Sequence, residues 1–485
     1  MILLNHWWLN MDAKDLLEYC VEYGLKLGSQ YVEVRCIQEK SRGFAYRNGQ
    51  PVSGGVQPSE GIGVRVLVEG NIGFASFDRM DKKIAEDTIQ KAFKMAKTAK
   101  RKEPIDLGEA VSTEAKWEVK VKKPLEDVST ETIMDFASEM SSIMSDLTSY
   151  TFMISPITHT KHIMTSEGTN ITSNYSRLNI FVIMTAAGEG ISEQKMYTAN
   201  EVGGWERIKD ARVLEILESE VTRLIRAANE AKKLPELLEH PIDMIVGPEV
   251  AGIIAHENVG HPSEGDRIKG REGAQAGESF WRDLEIGKSR VGSDEVTVHE
   301  DPTIPNSSGY YLFDDEGVQA RKRTLIKNGI LHEPLLNREF GVKFGLGSNG
   351  AARASAFSRE PIIRMSNTYF EAGDYSFDEL TEDIKIGVYM KSFSEWNIDD
   401  RRYQSKYTGV EAYLIKDGEV TDTMVRRPVL ETTSVGMLKA VDALSKDLDL
   451  FFAGTCGKSD PMQGVPVKAG GPEIRFRNIR LGGVG

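Results

Sequence analysis

Apolar positions along the chain follow two periods, and the alternation between them sets out the first half. Residues 12–27 place Leu16, Cys20 and Leu27 on one side of a helix. Residues 81–102 repeat the helical spacing with Ile84, Ile89, Phe93 and Ala96. Residues 125–147 and 210–233 predict two more helices, the last carrying Leu214, Leu217, Val221, Leu224 and Ala228. Between the first pair, residues 31–39, 61–68 and 72–76 read as strands, with a hairpin signal at Asn48-Gly49 and a turn at Glu69-Gly70-Asn71. Between the second pair, residues 150–162, 163–173 and 178–186 read as strands, with a turn at Glu167-Gly168-Thr169-Asn170. Residues 111–123 connect the two groups. A helix–strands–helix order therefore occurs twice before residue 234, although the residues themselves do not repeat.

Pro235 and Pro241 bracket a boundary, which divides the chain into an N-terminal α/β domain over 1–234 and a β-rich domain over 235–485. In the second half long helices become scarce. Strands are expected at 242–246, 297–300, 310–313, 323–327, 330–333, 384–393, 410–416 and 420–423, with hairpin turns at Asn328-Gly329 and Asp417-Gly418. One late helix is expected over 433–448. The fold class is α+β, with a short helix laid against the strands of the second half.

Composition narrows the function classes. A chain of 485 residues exceeds one core and suits two or three domains, and 40% apolar with 27% charged residues is the balance of a globular protein in water. No apolar run reaches the length of a membrane span. A net charge of −13 with no long basic run argues against nucleic acid as the main partner. The apolar opening MILLNHWWLN has no basic flank and no cleavage signal, and residues 1–10 read as an upstream extension if translation begins at Met11. Three cysteines (Cys20, Cys36 and Cys456) exclude a disulfide framework and point to a reducing cytoplasm.

The densest chemistry lies at His256-Glu257-Asn258-Val259-Gly260-His261-Pro262. Neutral imidazoles bind zinc, and a carboxylate beside them can act as a general base. The spacing H-E-x-x-x-H is one residue longer than the H-E-x-x-H of helical zinc peptidases. On an unbroken α-helix, positions i and i+4 lie about 40° apart and i and i+5 about 140° apart, so the two rings would diverge. Gly260 and Pro262 predict that the helix ends near Val259 and that His261 leaves the helical region and folds back. Upstream, a strand at 242–246, Gly247 as N-cap and Pro248 at the first helical position start that helix, and Val250, Ile253 and Ile254 form its stripe. The plainer reading makes both histidines polar loop residues without a metal. His159 and His162 sit on an expected strand and read as sheet-surface histidines. Gly61-x-Gly63 lacks the following helix that dinucleotide binding requires.

A third ligand is needed, and Cys456 in Gly454-Thr455-Cys456-Gly457-Lys458 is the available thiol, with Lys458 expected to favour thiolate. With these pieces in hand the chain resembles the metal-bearing, TldD-type members of the TldD/PmbA family of zinc peptidases. The resemblance rests on Gly61-Ile62-Gly63-Val64-Arg65-Val66, the block Ala255 through Asp266, Gly309 through Gly317, Arg364-Met365-Ser366-Asn367-Thr368-Tyr369, and the Cys456-Gly457-Lys458 segment running to Val467. It implies His256, His261 and Cys456 as zinc ligands and Glu257 as the catalytic carboxylate. It further implies a two-domain α+β fold with a barrel-like C-terminal part, unfolded peptides as substrate, and pairing with itself or with a metal-free paralogue. An oxyanion donor is not assigned; Arg364, Tyr310 and Tyr311 serve equally as core residues. Two other functions compete: an amidase acting on modified small peptides, and a non-enzymatic partner with a structural zinc. The last would need a fourth protein ligand, for which the second half offers His240, His299 and His332.

Overall fold

Two long antiparallel hairpins organise the first half of the chain in this computed structural model, which describes residues 13–188, 191–272 and 277–482. The opening segment and the alternative start at Met11 lie outside those residues. Helix α1 (Ala13–Lys26) leads into β1 (Tyr31–Arg47), which turns through Asn48 and Gly49 into β2 (Gln50–Val68). Both turn residues have positive φ, 47° and 76°, as a two-residue hairpin loop requires. β3 (Asn71–Phe77) and α2 (Lys82–Thr98) complete the first unit, and the Asp81 side chain caps α2 by accepting from the Ile84 amide. After β4 (Glu114–Glu118), the second unit runs through α3 (Thr130–Ile143), β5 (Ser149–Thr165), β6 (Asn170–Gly188), β7 (Ile191–Val202), α4 (Arg207–Asp210) and α5 (Val213–Glu230). Strands of both units join one seven-stranded sheet in the order β3-β2-β1-β5-β6-β4, with β7 paired to β6. Two details differ from the periodicity. β6 is one 19-residue strand rather than the end of one and the whole of another. The helix expected over 210–233 is interrupted at Arg212, whose φ is 51°.

Helices cover one face of this sheet. Phe152 and Ile154 of β5 and Leu178, Ile180 and Val182 of β6 form a core with Leu217, Val221 and Leu224 of α5. Side chains alternate across a strand, so Met153, Asn179, Phe181, Met196, Thr198 and Asn200 face the second half of the chain.

In that second half, β8 (Ile242–Val246) lies inside a six-stranded sheet with order Glu419–Met424, Ala412–Lys416, Ile386–Met390, β8, Ile474–Ile479, Val441–Leu444. A second six-stranded sheet runs Ile330–Leu331, Arg323–Lys327, Val298–Glu300, Asn367–Phe370, Gln463–Gly471, Asp449–Lys458. Four more strands (Phe393–Ile398, Gln404–Gly409, Val429–Thr433 and Leu481–Gly482) form a third sheet. Each of these sheets ends in unpaired outer strands, so the expected barrel-like part is not a single closed sheet among the described residues. One apolar core nevertheless joins them, from Met244 and Val246 through Val298 and Leu325 to Val467 and Ile474. The helix expected over 433–448 stops at Ala440; Val441 is extended and begins the outer strand Val441–Leu444. Val435, Leu438, Val441 and Leu444 mimic a helical stripe, but pairing with Ile474–Ile479 buries the second half of it as strand. Residues 310–313 form no strand; Phe313 makes only an isolated bridge to Gln319.

Helix α6 (Pro248–Ile254) follows β8, with Gly247 at the cap and Pro248 at the first position as the sequence predicts. It is buried all round rather than along one stripe: Val250, Ala251, Ile253, Ile254 and Ala255 have no exposed surface. A Cβ on Gly252 would lie 2.8 Å from the Gly470 amide nitrogen and 2.9 Å from the Ala469 carbonyl carbon. Backbone cannot yield as a side-chain tip can. Gly252→Ala should therefore push α6 off the strand Gln463–Gly471 and lower stability by about 1–3 kcal/mol, the range for overpacking. Thermal unfolding of the variant beside the wild type measures this.

Candidate metal centre

The chain does not leave the helix after α6. Residues Ala255–Gly260 form a π-turn, in which the amide of His261 donates to the carbonyl of His256, five residues back. A 3₁₀ turn, His261–Ser263, follows. His261 keeps helical backbone angles, φ −59° and ψ −43°. This corrects the expectation that the helix ends near Val259 and that Pro262 drives His261 out of the helical region. Pro262 sits at the start of the new turn, where its missing N–H costs nothing. The physical answer to the extra residue is the wider turn. An i→i+4 bond stacks i over i+4, and an i→i+5 bond stacks i over i+5. His256 and His261 thus meet on one face, with ring centroids 5.0 Å apart and planes at 76°.

Gly260 permits the close packing of this turn, since a Cβ there would fall 2.1 Å from the sulfur of the fully buried Met365. Asn258, also fully buried, fixes the other side. Its Nδ2 donates to Ser405 Oγ at 3.0 Å and Ser434 Oγ at 2.7 Å, and its Oδ1 accepts from Tyr407. The π-turn is thereby tied to the strand Gln404–Gly409 and to the helix Ser434–Ala440.

Cys456 reaches the same point from the outer strand Asp449–Lys458. Its Sγ lies 3.4 Å from His261 Nε2, and donor atoms of His256, His261 and Cys456 all lie within 4.8 Å of one another. The three side chains are buried. His256 Nδ1 is buried with no hydrogen-bond partner among the described residues, an unmet polar atom that a bound ion would explain. Burial pushes the His256 pKa down, which keeps its imidazole neutral and able to ligate. Burial would raise the Cys456 thiol, but His261 and Arg364 outweigh it and the thiol lies below its usual value. Arg364, the second of these groups, reaches the segment through its guanidinium, which donates to the Cys456 carbonyl. Lys458, expected to favour thiolate, instead contacts Glu264 at 3.3 Å and Asp266 at 2.7 Å. The donor set of two imidazoles and a low-pKa thiol fits a borderline-soft divalent ion.

Glu264 supplies what the sequence reading missed. Its Oε2 lies 3.0 Å from His261 Nδ1, which directs the other ring nitrogen, Nε2, toward Cys456. Burial alone would raise its pKa, yet Lys458, His261 and Arg267 hold it well below the usual carboxylate range. The signal was legible in principle, as a carboxylate three residues after a histidine in a turn.

Glu257 points into a different set of partners. Trp396 Nε1 donates to its Oε1 at 3.1 Å, and Arg402 Nη1 to its Oε2 at 3.0 Å. Both partners belong to one hairpin, Trp396 on the strand Phe393–Ile398 and Arg402 in the turn before Gln404–Gly409, at φ 59°. Burial would raise the Glu257 carboxyl, but His261, His256 and Arg402, with the Trp396 hydrogen bond, carry it below the usual range. Neither Trp396 nor Arg402 carries a motif that marks it in sequence.

The remaining histidines lie elsewhere. His299 contacts Thr324 and Glu371, His332 contacts the Thr324 carbonyl, and His240 is exposed. His159 stacks on Tyr175 and pairs with Glu39, and His162 contacts Asn170, as sheet residues. Among the described residues, none of them joins the donor group.

Comparison with known proteins identifies the family. The family description "PmbA/TldA metallopeptidase C-terminal domain" matches residues 239–483, and the corresponding descriptions of domain 1 and the central domain match residues 32–99 and 123–233. A metalloprotease of Methanocaldococcus jannaschii is 32% identical over 94% of this chain and 97% of its own. A zinc metalloprotease TldD homolog of Saccharolobus solfataricus is 28% identical over 89% of this chain and 91% of its own. In fold, the chain superposes on the crystal structure of TldE from Thermococcus kodakarensis with a TM-score of 0.73, at 16% identity, covering 96% of this chain and 100% of that one. With matches that run through all three family regions and a relative of 32% identity along nearly its whole length, the chain belongs to the TldD/PmbA family of metallopeptidases.

Proposed function

We propose that the protein is a zinc-dependent peptidase that hydrolyses extended, unfolded peptides, with His256, His261 and Cys456 holding the metal and Glu257 moving the proton. One observation carries the reading: three buried donors, two imidazole and one thiol, lie within 4.8 Å of one another beside an ionised carboxylate on the same turn. Zinc in such a site supplies a Lewis acid for the scissile carbonyl and lowers the pKa of water to about 7. Three protein ligands leave a coordination position for chemistry, whereas a structural zinc takes four. His240, His299 and His332 are engaged or exposed elsewhere, which favours the open site over the structural one.

The chain's own residues divide the remaining work. His261, His256 and Arg402, with the Trp396 hydrogen bond, hold the Glu257 carboxyl below its usual range, so it enters as a proton acceptor at neutral pH. A carboxyl of low pKa is also a strong donor, which suits return of the proton to the leaving amine. Glu264 fixes the tautomer of His261. Glu264→Gln should weaken metal binding by roughly 10–100-fold, the usual effect of removing a carboxylate partner from a ligating histidine. Titration of the apoprotein with zinc checks it.

Cys456 lies on the outer strand of its sheet, and beyond the Ala453 carbonyl that Thr198 occupies an extended peptide could join its edge by main-chain pairing. That mode reads backbone more than side chains and requires an unfolded substrate. Partnering with a second copy or with a metal-free paralogue, and a cytoplasmic setting, belong to the same proposal. No helix among the described residues is long and apolar enough to cross a membrane. The test is hydrolysis of an unstructured fluorogenic peptide. Chelation should abolish it and added zinc restore it, while activity that persists in chelated protein of verified zero metal content would overturn the reading.

A further inference from the structure

The face of β5, β6 and β7 that turns away from the helices is only partly open to solvent. It walls a cavity of about 410 Å³ whose other side is formed by Phe393, Trp396, Phe451, Gly454 and Thr455. That second wall belongs to the candidate centre. Trp396 donates to Glu257, and Thr455 precedes Cys456 on the same strand. Thr198 of β7 hydrogen-bonds the Ala453 carbonyl and closes one end. The cavity therefore adjoins the candidate centre through Trp396, which lines the one and donates to Glu257 in the other.

Its lining is mixed in a specific way. Met153, Phe181 and Met196 make the sheet side apolar, and two of them, Met153 at 44% and Met196 at 39%, are among the exposed large apolar residues of the chain. Beside them stand two carboxamides, Asn179 and Asn200, which are direct cross-strand partners of β6 and β7. Asn200 is more than nine-tenths buried. The side-chain oxygens of both are buried without a hydrogen-bond partner among the described residues. One such unmet acceptor is costly, and two adjacent ones in a cavity wall mark a place where donors are supplied from outside. Main-chain amides of an extended peptide are such donors. A carboxamide carries both a donor and an acceptor end and turns readily about its last bond, so an amide pair can read backbone without selecting sequence.

We propose that this cavity is a substrate subsite, in which Asn179 and Asn200 bind main-chain groups of the peptide while Met153, Phe181, Met196 and Trp396 receive an apolar side chain next to the scissile bond. The proposal rests on the peptidase reading and adds to it a substrate class, peptides with a large apolar residue at that one position. Methionines suit such a pocket because their flexible, polarisable side chains accept ligands of differing shape.

The experiment uses zinc-loaded full-length protein and peptides of equal length that differ at one position, leucine or phenylalanine against serine or aspartate. Wild type should prefer the apolar residue by roughly tenfold or more in kcat/KM, the scale of a large apolar side chain entering a pocket. The double variant Asn179→Ala, Asn200→Ala should raise KM by roughly 30-fold, as loss of two hydrogen bonds predicts. Its kcat should stay within about threefold, the pattern of lost uniform binding. Zinc content and melting temperature are measured on the same sample. Met196→Arg, at an exposed position, provides the second test should the double variant not fold: preference should shift from apolar to acidic side chains. Unchanged KM in a folded double variant, or unchanged preference in Met196→Arg, overturns the subsite and leaves the peptidase reading intact. Absence of any hydrolysis by zinc-loaded wild type overturns both.

Discussion

Cys456→Ser should give a folded protein that has lost its metal and, with it, its activity. The thiol sits 3.4 Å from His261 Nε2 and is held toward thiolate by His261 and Arg364 against the effect of burial. A serine hydroxyl is harder and stays protonated, so it binds zinc far less well. The two side chains are close in size, and the strand Asp449–Lys458 keeps its pairing with Gln463–Gly471 through main-chain bonds. The cost in stability, apart from the metal's own contribution, should be near that of an ordinary substitution, about 1 kcal/mol. Cys20 and Cys36 supply the control. Both lie in the core beneath the first hairpin, and burial pushes each thiol up to about 12. They are neutral at any physiological pH, and serine at either position should leave metal content unchanged. Metal analysis of the three purified variants is the measurement. A full complement of zinc in Cys456→Ser would remove Cys456 from the site.

Glu257→Gln should retain metal and lose roughly 10²-fold or more in hydrolysis, the scale of a missing general base. The structure adds a second consequence. Glu257 accepts from two donors, Trp396 and Arg402, through its two oxygens. A glutamine has one oxygen, so its amide must face one of those donors and a buried hydrogen bond is lost. Stability should fall by about 1–3 kcal/mol, the range for a buried polar group left unpaired. Arg402→Met separates the two effects, since it keeps the carboxylate while removing its cation. The Glu257 pKa should then rise, and metal should stay bound. Near-normal activity of Glu257→Gln with metal in place would assign the proton transfer to another group.

Sequence patterning recovers the elements whose burial is one-sided. The helices α1, α2, α3 and α5 each bury one face against a sheet, so their apolar spacing survives as a readable stripe. The Asn48-Gly49 turn is readable because its backbone demands those residues. Elements buried on every side are not. α6 and the turn after it have no exposed face, and their sequence reads as helix without revealing where the hydrogen-bond offset changes from four to five. That offset is set by contacts from far along the chain: Met365 against Gly260, and Ser405, Tyr407 and Ser434 around Asn258. The short strand Val441–Leu444 reads as helix for a related reason, since its register is set by the strand Ile474–Ile479 far along the chain. In the site itself, His256, Glu257 and His261 are a local motif. Cys456 reaches them only through the fold, and residue types at a distance carry no geometry. Arg402, Trp396 and Arg364 fall in the same class, because each acts through a contact that the fold creates, whereas Glu264 is local to His261 and could be read from the turn.

The proposed metal centre joins two imidazoles on a π-turn to one thiolate on an outer strand. X-ray absorption at the zinc edge of the zinc-loaded protein tests it most directly, because sulfur at about 2.3 Å and nitrogen or oxygen at about 2.0–2.1 Å are resolved as separate shells. One zinc per chain is expected, with a single sulfur neighbour, two imidazole nitrogens and one further light atom. A shell without sulfur, or a fourth protein ligand closing the site, would contradict it.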